Sequence, residues 1–261
     1  MRGLLNDLST FEIVLLFVLG AAALAVTGVL LVERFYPGFR DGSFDEGSKA
    51  IETTFTLLFG LILALTIAGL ALNSDTANSA VTEEATAMAQ LTRISQGFNR
   101  QSRVRLKASI DQYVHAVATD EFATMRNGRQ SPLAATALAN LFAVYQNYDP
   151  RPSEAKDYET SLEKIDLLVG IRRQRLQLSQ QSLSPLLRIM LLMGTFVFVI
   201  LSYPAKIQKR VTRTTVVAAI AAFVTFVFVL TIVLDYPFSG DQSTSNQPYK
   251  EAALAQYWPA I

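Results

Sequence analysis

Residues 53–98 read TTFTLLFGLILALTIAGLALNSDTANSAVTEEATAMAQLTRISQGF, and this stretch decides the fold. Its first 22 residues, 53–74, carry no charge, and a helix of that length at about 1.5 Å per residue crosses the ~30 Å of a bilayer's hydrocarbon. No proline and no glycine pair interrupts the chain between Ser74 and Phe98. Beyond Asp75, the positions Ala77, Val81, Glu84, Met88, Leu91, Ser95 and Phe98 fall at steps of three and four. They form an apolar stripe, broken at Glu84 and Ser95, that keeps the helical period. One helix is therefore predicted to leave the membrane and continue into a domain outside it. Such a rod can carry movement or polarity between that domain and a membrane pathway.

Working outward, charge-free runs recur at 13–32, 189–205 and 214–234, of 20, 17 and 21 residues. With 51% hydrophobic residues gathered in these blocks, the 261-residue chain reads as all-α with four transmembrane helices. The third run is short, but Ser184-Pro185 reads as an N-cap followed by proline at the first helical position. That helix then starts ahead of Arg188, whose long side chain snorkels. The first run extends to Val32, past the core of a secretory signal, and reads as an anchor capped by Asp7, Ser9 or Thr10. Ala21, Ala25 and Gly28 share a face of the first span, and Ala218 and Ala222 share one of the last. Small residues let helices approach closely in lipid, and they are also simply common there.

Between the second and third spans the pattern stays helical. Val104, Ile110, Tyr113, Val114 and Val117 give one buried face up to a break at Asn127-Gly128. Ser131-Pro132 restarts a helix, Asp149-Pro-Arg-Pro152 stops it, and Ser153 is the expected cap of a last long helix carrying Leu162, Ile165, Leu168, Val169, Leu176 and Leu183. No strand alternation is present. The expected layout is a lead over 1–12, two spans within 13–74, a soluble helical bundle inserted over 75–184, two spans within 185–234 and a tail over 235–261. In the tail, Tyr257 and Trp258 either rest at the headgroup level or cap the bundle. The connection after the first span holds two turn signals, Pro37-Gly38 and Asp41-Gly42.

The chemistry is mostly defined by exclusion. There is no cysteine, and a net charge of +1 without a basic, aromatic-rich face gives no reason to expect nucleic acid. No cofactor motif is present. The single histidine, His115, shares a helix face with Asp111, an arrangement open to a metal but more simply an ion pair or a solvated face. Glu83-Glu84 and Asp120-Glu121 are adjacent pairs, so each points to two helix faces and makes no acid/base dyad. An enzyme is not expected. Ionisable groups are missing from the interior of the spans, which argues against a proton relay but not against a channel, where hydroxyls and apolar constrictions suffice.

On a 100° step Glu52, Thr56, Phe59, Leu63, Thr66 and Leu70 lie within about 40° of one line. Thr56, Phe59, Leu63, Thr66 and Leu70 are the candidate pore lining, with Phe59 and Leu63 as an apolar gate; the alternative is that this face packs inside the bundle. Asp75, Glu83, Glu84 and Asp235, with Asp241, are candidates for an acidic mouth that attracts cations. The alternative is that they neutralise Arg93, Arg188 and nearby bases.

Three segments resemble the bestrophin-like family, a family of functionally uncharacterised four-helix membrane proteins. They are the second span with Glu83-Glu84-Ala85 and Leu91; Tyr113-Val114 with Asp120-Glu121 and Ser131-Pro132; and Leu234-Asp235 with Pro237-Phe238-Ser239-Gly240 and Pro248-Tyr249. The likeness covers roughly 50–255, and the last segment is its most specific part. Phe122 stands where the family pattern has tryptophan. Bestrophins, more distantly similar, are pentameric anion channels whose second membrane helix lines the pore. No stretch here matches their pore neck residue by residue. The resemblance implies a lipid-embedded homo-oligomer, five subunits by the bestrophin analogy, that passes inorganic ions. A non-conducting, membrane-anchored helical sensor or scaffold is the alternative. The short loops carry Arg34, Arg40, Lys49, Lys206, Lys209, Arg210 and Arg213, whereas the termini carry Arg2 and Lys250. The positive-inside rule thus puts the bundle outside the cytoplasm, and the bestrophin layout puts it inside.

Overall fold

The computed structural model describes residues 2–35, 46–203 and 209–258, and every regular element among them is helical. In chain order these are α1 (Arg2–Asp7), α2 (Thr10–Phe35), α3 (Glu46–Ile94), a 3₁₀ turn (Ser95–Gly97), α4 (Arg100–His115), a π-turn segment (Ala116–Glu121), α5 (Phe122–Met125), α6 (Pro132–Gln146), α7 (Ala155–Gln180), α8 (Pro185–Leu201) and α9 (Arg210–Leu234). Two short 3₁₀ turns, Gln247–Lys250 and Ala252–Tyr257, complete the tail. The turn signals at Pro37-Gly38 and Asp41-Gly42, and the bases Arg40 and Lys206, lie outside the described residues. The long helix read from the sequence is a single element of 49 residues. Its predicted stripe faces inward, with Ala77, Val81, Glu84, Met88 and Leu91 each at most 1% exposed; the helix ends at Ile94, short of the expected Phe98, and Ser95 and Phe98 are equally buried in and just after a 3₁₀ turn.

The chain forms two compact units. One comprises Asp7–Leu72 and Ser182–Asp235, and holds α2, the first half of α3, α8 and α9. Ser9 and Glu12 form the capping box that starts α2: the Ser9 hydroxyl accepts from Glu12 N at 3.2 Å, and the Glu12 carboxylate accepts from Ser9 N at 2.9 Å. Ser184 caps α8 as expected, accepting from Leu187 N at 3.2 Å, with Pro185 behind it. Helix α9 is the centre of this unit. Ala25 and Val29 of α2 pack on its Val217 and Ala221, while Phe59 and Leu63 of α3 and Leu191 of α8 meet at its Val224. The close approach is at Ala221, one position before the predicted Ala222, because α9's buried line runs through Val217, Ala221, Val224 and Thr225. Leu57, Leu61, Leu65, Leu186, Phe196 and Phe223 point outward and are more than half exposed, a surface suited to lipid as solvent. Helices α2, α3 and α9 are long and apolar enough to cross a membrane. Helix α8 is apolar too, at 17 residues.

The other unit comprises Met1–Asn6, Asn73–Gln181 and Tyr236–Ile261. Its core joins the second half of α3 to α4, α6, α7 and the tail through Met88, Leu91, Tyr113, Leu141, Ile165 and Tyr249, all fully buried. Gly128 ends α5 with φ +68°, a conformation that glycine adopts without steric cost, and Ser131 caps α6 from 3.0 Å. Four expectations need correcting. Leu183 lies beyond α7, which ends at Gln180, and its amide donates to Asp235 at 2.6 Å. Val104 is 63% exposed, because the buried line of α4 passes through Leu106, Ile110 and Tyr113, and Val104 stands about 200° round the helix from Leu106. Val169 is 38% exposed, because α7 buries Ile165, Leu168, Arg172, Arg175 and Ser179 at steps of three and four. Helix α7 is flanked by Glu154, not capped by Ser153: the Glu154 carboxylate accepts from Asn99 N at 3.0 Å and Arg151 N at 3.1 Å, and from the Tyr148 hydroxyl. The tail lies on this helical unit, with Trp258 Nε1 donating to Tyr249 O at 2.8 Å and the Tyr257 hydroxyl 3.2 Å from that of Thr92.

Candidate functional site

The candidate face of α3 divides in two. Phe59, Leu63 and Leu70 are 6%, 9% and 5% exposed, so each is packed within the protomer. The Phe59 ring lies 5.8 Å from that of Phe55 and 6.2 Å from that of Phe198, and a Cβ placed on Gly194 would strike it. Glycine at 194 is thus what lets α8 approach α3. Thr56 is exposed and Thr66 half-buried, its hydroxyl donating to Ile62 O at 2.8 Å.

The four candidate mouth acids separate likewise. Asp75 and Glu83 are exposed. Asp235 is buried at the end of α9, where it accepts from Leu183 N at 2.6 Å and from Arg188 Nη2 at 2.7 Å. The long side chain expected to snorkel is therefore held by an acid. Glu84 has no exposed surface, and its partner is Arg175. Elsewhere in the apolar unit Glu33 takes both Arg210, at 3.2 Å, and Arg213. His115 Nε2 lies 3.2 Å from Asp111 Oδ1, and the Trp258 ring meets its imidazole edge-on at 4.2 Å.

The most concentrated polar chemistry is a buried cluster of two carboxylates, two guanidinium groups and two phenols. Arg175 donates through Nε to Glu84 at 2.7 Å and through Nη2 to Glu84 at 3.2 Å and Glu121 at 2.5 Å. Arg172 completes Glu121 with bonds of 3.2 and 2.5 Å, and the Tyr113 hydroxyl donates to Glu84 at 2.7 Å. Charges this far from water persist only when paired and hydrogen-bonded. The backbone supplies the geometry. Arg172 and Arg175 sit one turn apart on α7, and the π turn widens the helix by a residue so that Glu121 faces inward. Asp120 is left to accept from the Ser131 hydroxyl. The widened turn also leaves the Ala118 carbonyl able to accept from Asn246 Nδ2 at 2.7 Å, which ties the tail to the cluster.

Sequence reasoning misses this cluster because it weighs each member by its neighbours along the chain. The signal is nevertheless present: Glu84 interrupts the stripe of α3, and Arg172 and Arg175 continue the Ile165–Leu168 line of α7. Charges on two facing core stripes, opposite in sign, are a readable sign of a buried pair.

Burial holds the Tyr113 and Tyr249 phenols neutral well above their ordinary range, reinforced by the charge of Glu84, and burial pushes Tyr145 up to about 12. Burial opposes the Arg175 charge, but Glu84, Tyr249 and Glu121 outweigh it and keep the guanidinium protonated. A raised tyrosine pKa favours the folded state fully below the unfolded value of about 10, and that contribution is lost as pH climbs above it. Stability is therefore expected to be level from pH 8 to 9.5 and to fall above pH 10, each fully buried phenol contributing about 1.4 kcal/mol per pH unit to the slope. Tyr113→Phe should reduce that slope by about 1.4 kcal/mol per pH unit. Chemical denaturation at stepped pH measures it, and equal unfolding midpoints at pH 9 and 11 would refute the assignment.

The comparisons with known proteins agree with this architecture. Two mutant crystal structures of a bacterial bestrophin homologue from Klebsiella pneumoniae superpose with TM-scores of 0.67 and 0.68, at 12% identity in each case. The alignments cover 93% and 95% of this chain, and 99% and 95% of theirs. At that identity the likeness is one of fold. No curated protein sequence matches the chain significantly. The sequence model of the Bestrophin-like domain matches residues 19–249, a region that takes in the apolar helices, the buried cluster and the tail as far as Tyr249. The protein belongs to the Bestrophin-like family.

Proposed function

We propose that the protein is one subunit of a homo-oligomeric membrane ion channel, crossing the bilayer with α2, the first half of α3, α8 and α9. The family match across residues 19–249 carries this reading. Within a protomer, α9 is surrounded by α2, α3 and α8 in a packed core, so a conduit is built from several copies around an axis. Five is the number the bestrophin likeness suggests. Helix α3 lines the conduit, because among the described residues it is the long helix that continues from one unit into the other, and it leaves Thr56 exposed in one and Asp75 and Glu83 exposed in the other. Hydroxyls at Thr56 and Thr66 replace part of an ion's hydration, and the two exposed acids raise the local cation concentration. Phe59, Leu63 and Leu70, packed within the protomer, set the rotation of α3 and so which of its faces meets the conduit.

Ion flux into liposomes containing the purified protein tests the proposal. Flux is expected from a ring-shaped oligomer; none under any salt, pH or calcium condition sinks the channel and leaves a membrane-anchored sensor or scaffold. Phe59→Ala is expected to raise leak several-fold. Unchanged flux with a lowered melting temperature would reduce Phe59 to a packing residue.

A further inference from the structure

We propose that the groove between α2 and α8, floored by α9, binds one membrane phospholipid with an anionic head group. Its acyl chain lies along the groove, and its head group sits at the C-terminal end of α2. This goes beyond the channel reading and requires only that these helices lie in a membrane.

Helices α2 and α8 both rest on α9, yet the space between them is open, with a volume of about 870 Å³. Along α2 it runs from Leu16 to Val32, which at about 1.5 Å per residue is about 24 Å, most of the hydrocarbon thickness. Glycine and alanine make it deep: Gly20, Ala21, Ala25 and Gly28 line it, and the buried Ala221 and Thr225 form its floor. The Thr195 hydroxyl donates to Leu191 O at 2.9 Å, so its hydrogen-bonding capacity is already engaged within α8. An apolar slot of this kind in a bilayer is filled by hydrocarbon.

Its dimensions decide which hydrocarbon. Spread over its length, the volume gives a mean cross-section of about 36 Å², whereas a helix with side chains, about 10 Å across, needs about 79 Å². A helix from a second copy does not enter, and a flexible acyl chain does. The charge at one end selects the head group. The groove closes at Val32 and Tyr203, next to Glu33 and Arg34 of α2 and to Lys209, Arg210 and Arg213 at the start of α9. Glu33 pairs with Arg210 and Arg213, so where α2 ends and α9 begins four bases accompany this one acid, while Lys49 and Glu52 at the start of α3 offset each other. A phosphodiester with a net negative head group balances that excess.

The test uses the full chain in mild detergent, with co-purifying phospholipid quantified per subunit by mass spectrometry. Gly20 lines the groove and a Cβ there meets nothing within 4 Å, so the side chain of Gly20→Trp starts into open space and its indole competes for the groove. Bound anionic phospholipid is expected to fall roughly tenfold while oligomeric mass stays the same. Equal retention overturns the site. Loss of assembly with lipid retained assigns the groove to a second copy and also overturns it. The unaltered protein gives an independent reading in nanodiscs of phosphatidylglycerol or phosphatidylcholine carrying a photoactivatable acyl chain. Crosslinks concentrated on residues 20–28, stronger in phosphatidylglycerol and evened out by Arg34→Gln, are the expected result. Crosslinks spread uniformly over Leu57, Leu61 and the other outward faces would overturn it. Flux through the channel is not a readout, so failure here and failure of the channel reading remain distinct.

Discussion

Arg175→Met is expected to unfold the helical unit at temperatures where the native protein is intact. Arg175 has no exposed surface and holds Glu84 from α3 and Glu121 from the π turn at once. Without it, Glu84 keeps a bond from the Tyr113 hydroxyl and loses its counter-charge, while Glu121 keeps Arg172. Removing one partner of a buried ion pair costs about 3–5 kcal/mol, much of the 5–15 kcal/mol that holds a typical domain folded. Methionine fills most of the volume, so the loss reports charge more than shape. The double variant Glu84→Leu with Arg175→Met separates the two further. Taking away both charges removes the desolvation cost along with the attraction, and the double variant is expected to recover about half of the loss or more. Native unfolding of Arg175→Met would refute the account. A double variant no better than the single would show that packing, not charge, is what Arg175 supplies.

The buried cluster also shows what can be read from the sequence and what cannot. Periodicity places the apolar stripe of α3 correctly from Ala77 to Leu91, since a helix that buries one face must repeat every three or four residues, whereas Ser95 and Phe98 are buried beyond the helix's end at Ile94. Local chemistry places Ser131-Pro132 and Ser184-Pro185 as helix starts, because a cap acts on backbone groups two or three residues away. Ser153 misleads for the opposite reason. The acid beside it, Glu154, is drawn to Asn99, 55 residues earlier, and no local rule reports that. Partners distant in sequence are the general gap, as with Glu84 and Arg175 across 91 positions, whereas Asp235 meets Arg188, a base that the alternative reading of the acids did name. Adjacent acids do face different ways, but which of Glu83 and Glu84 turns inward depends on the stripe, and the stripe marks Glu84. Phe59 and Leu63 show the limit from the other side. A helical face read on a 100° step identifies residues that act together, and the neighbouring helices decide what they meet.

Tyr249→Ala is expected to free the tail from the helical unit. Tyr249 is fully buried, and its ring meets Phe122 edge-on at 5.9 Å. Phe122 in turn faces Phe238 at 6.3 Å and lies under the Arg175 guanidinium at 5.5 Å. The Tyr249 carbonyl accepts from Trp258 Nε1, and the Lys250 ammonium sits 5.4 Å over the Trp258 ring, so the two 3₁₀ turns fold back on this one residue. Truncating a buried aromatic to alanine costs about 3–5 kcal/mol, and the hole opens beside the ion cluster, where water then reaches Arg175. Tyr249→Phe keeps the ring and is expected to cost about 1 kcal/mol or less. Limited trypsin digestion reads the difference at Lys250, which is half-buried in the native fold. Cleavage there should be slow in the native protein and in Tyr249→Phe, and fast in Tyr249→Ala. Protection of Lys250 in the alanine variant would mean that Asn246, through Ala118, and the buried Leu254 hold the tail without the ring. The ion cluster would then be sealed by α7 and the π turn alone.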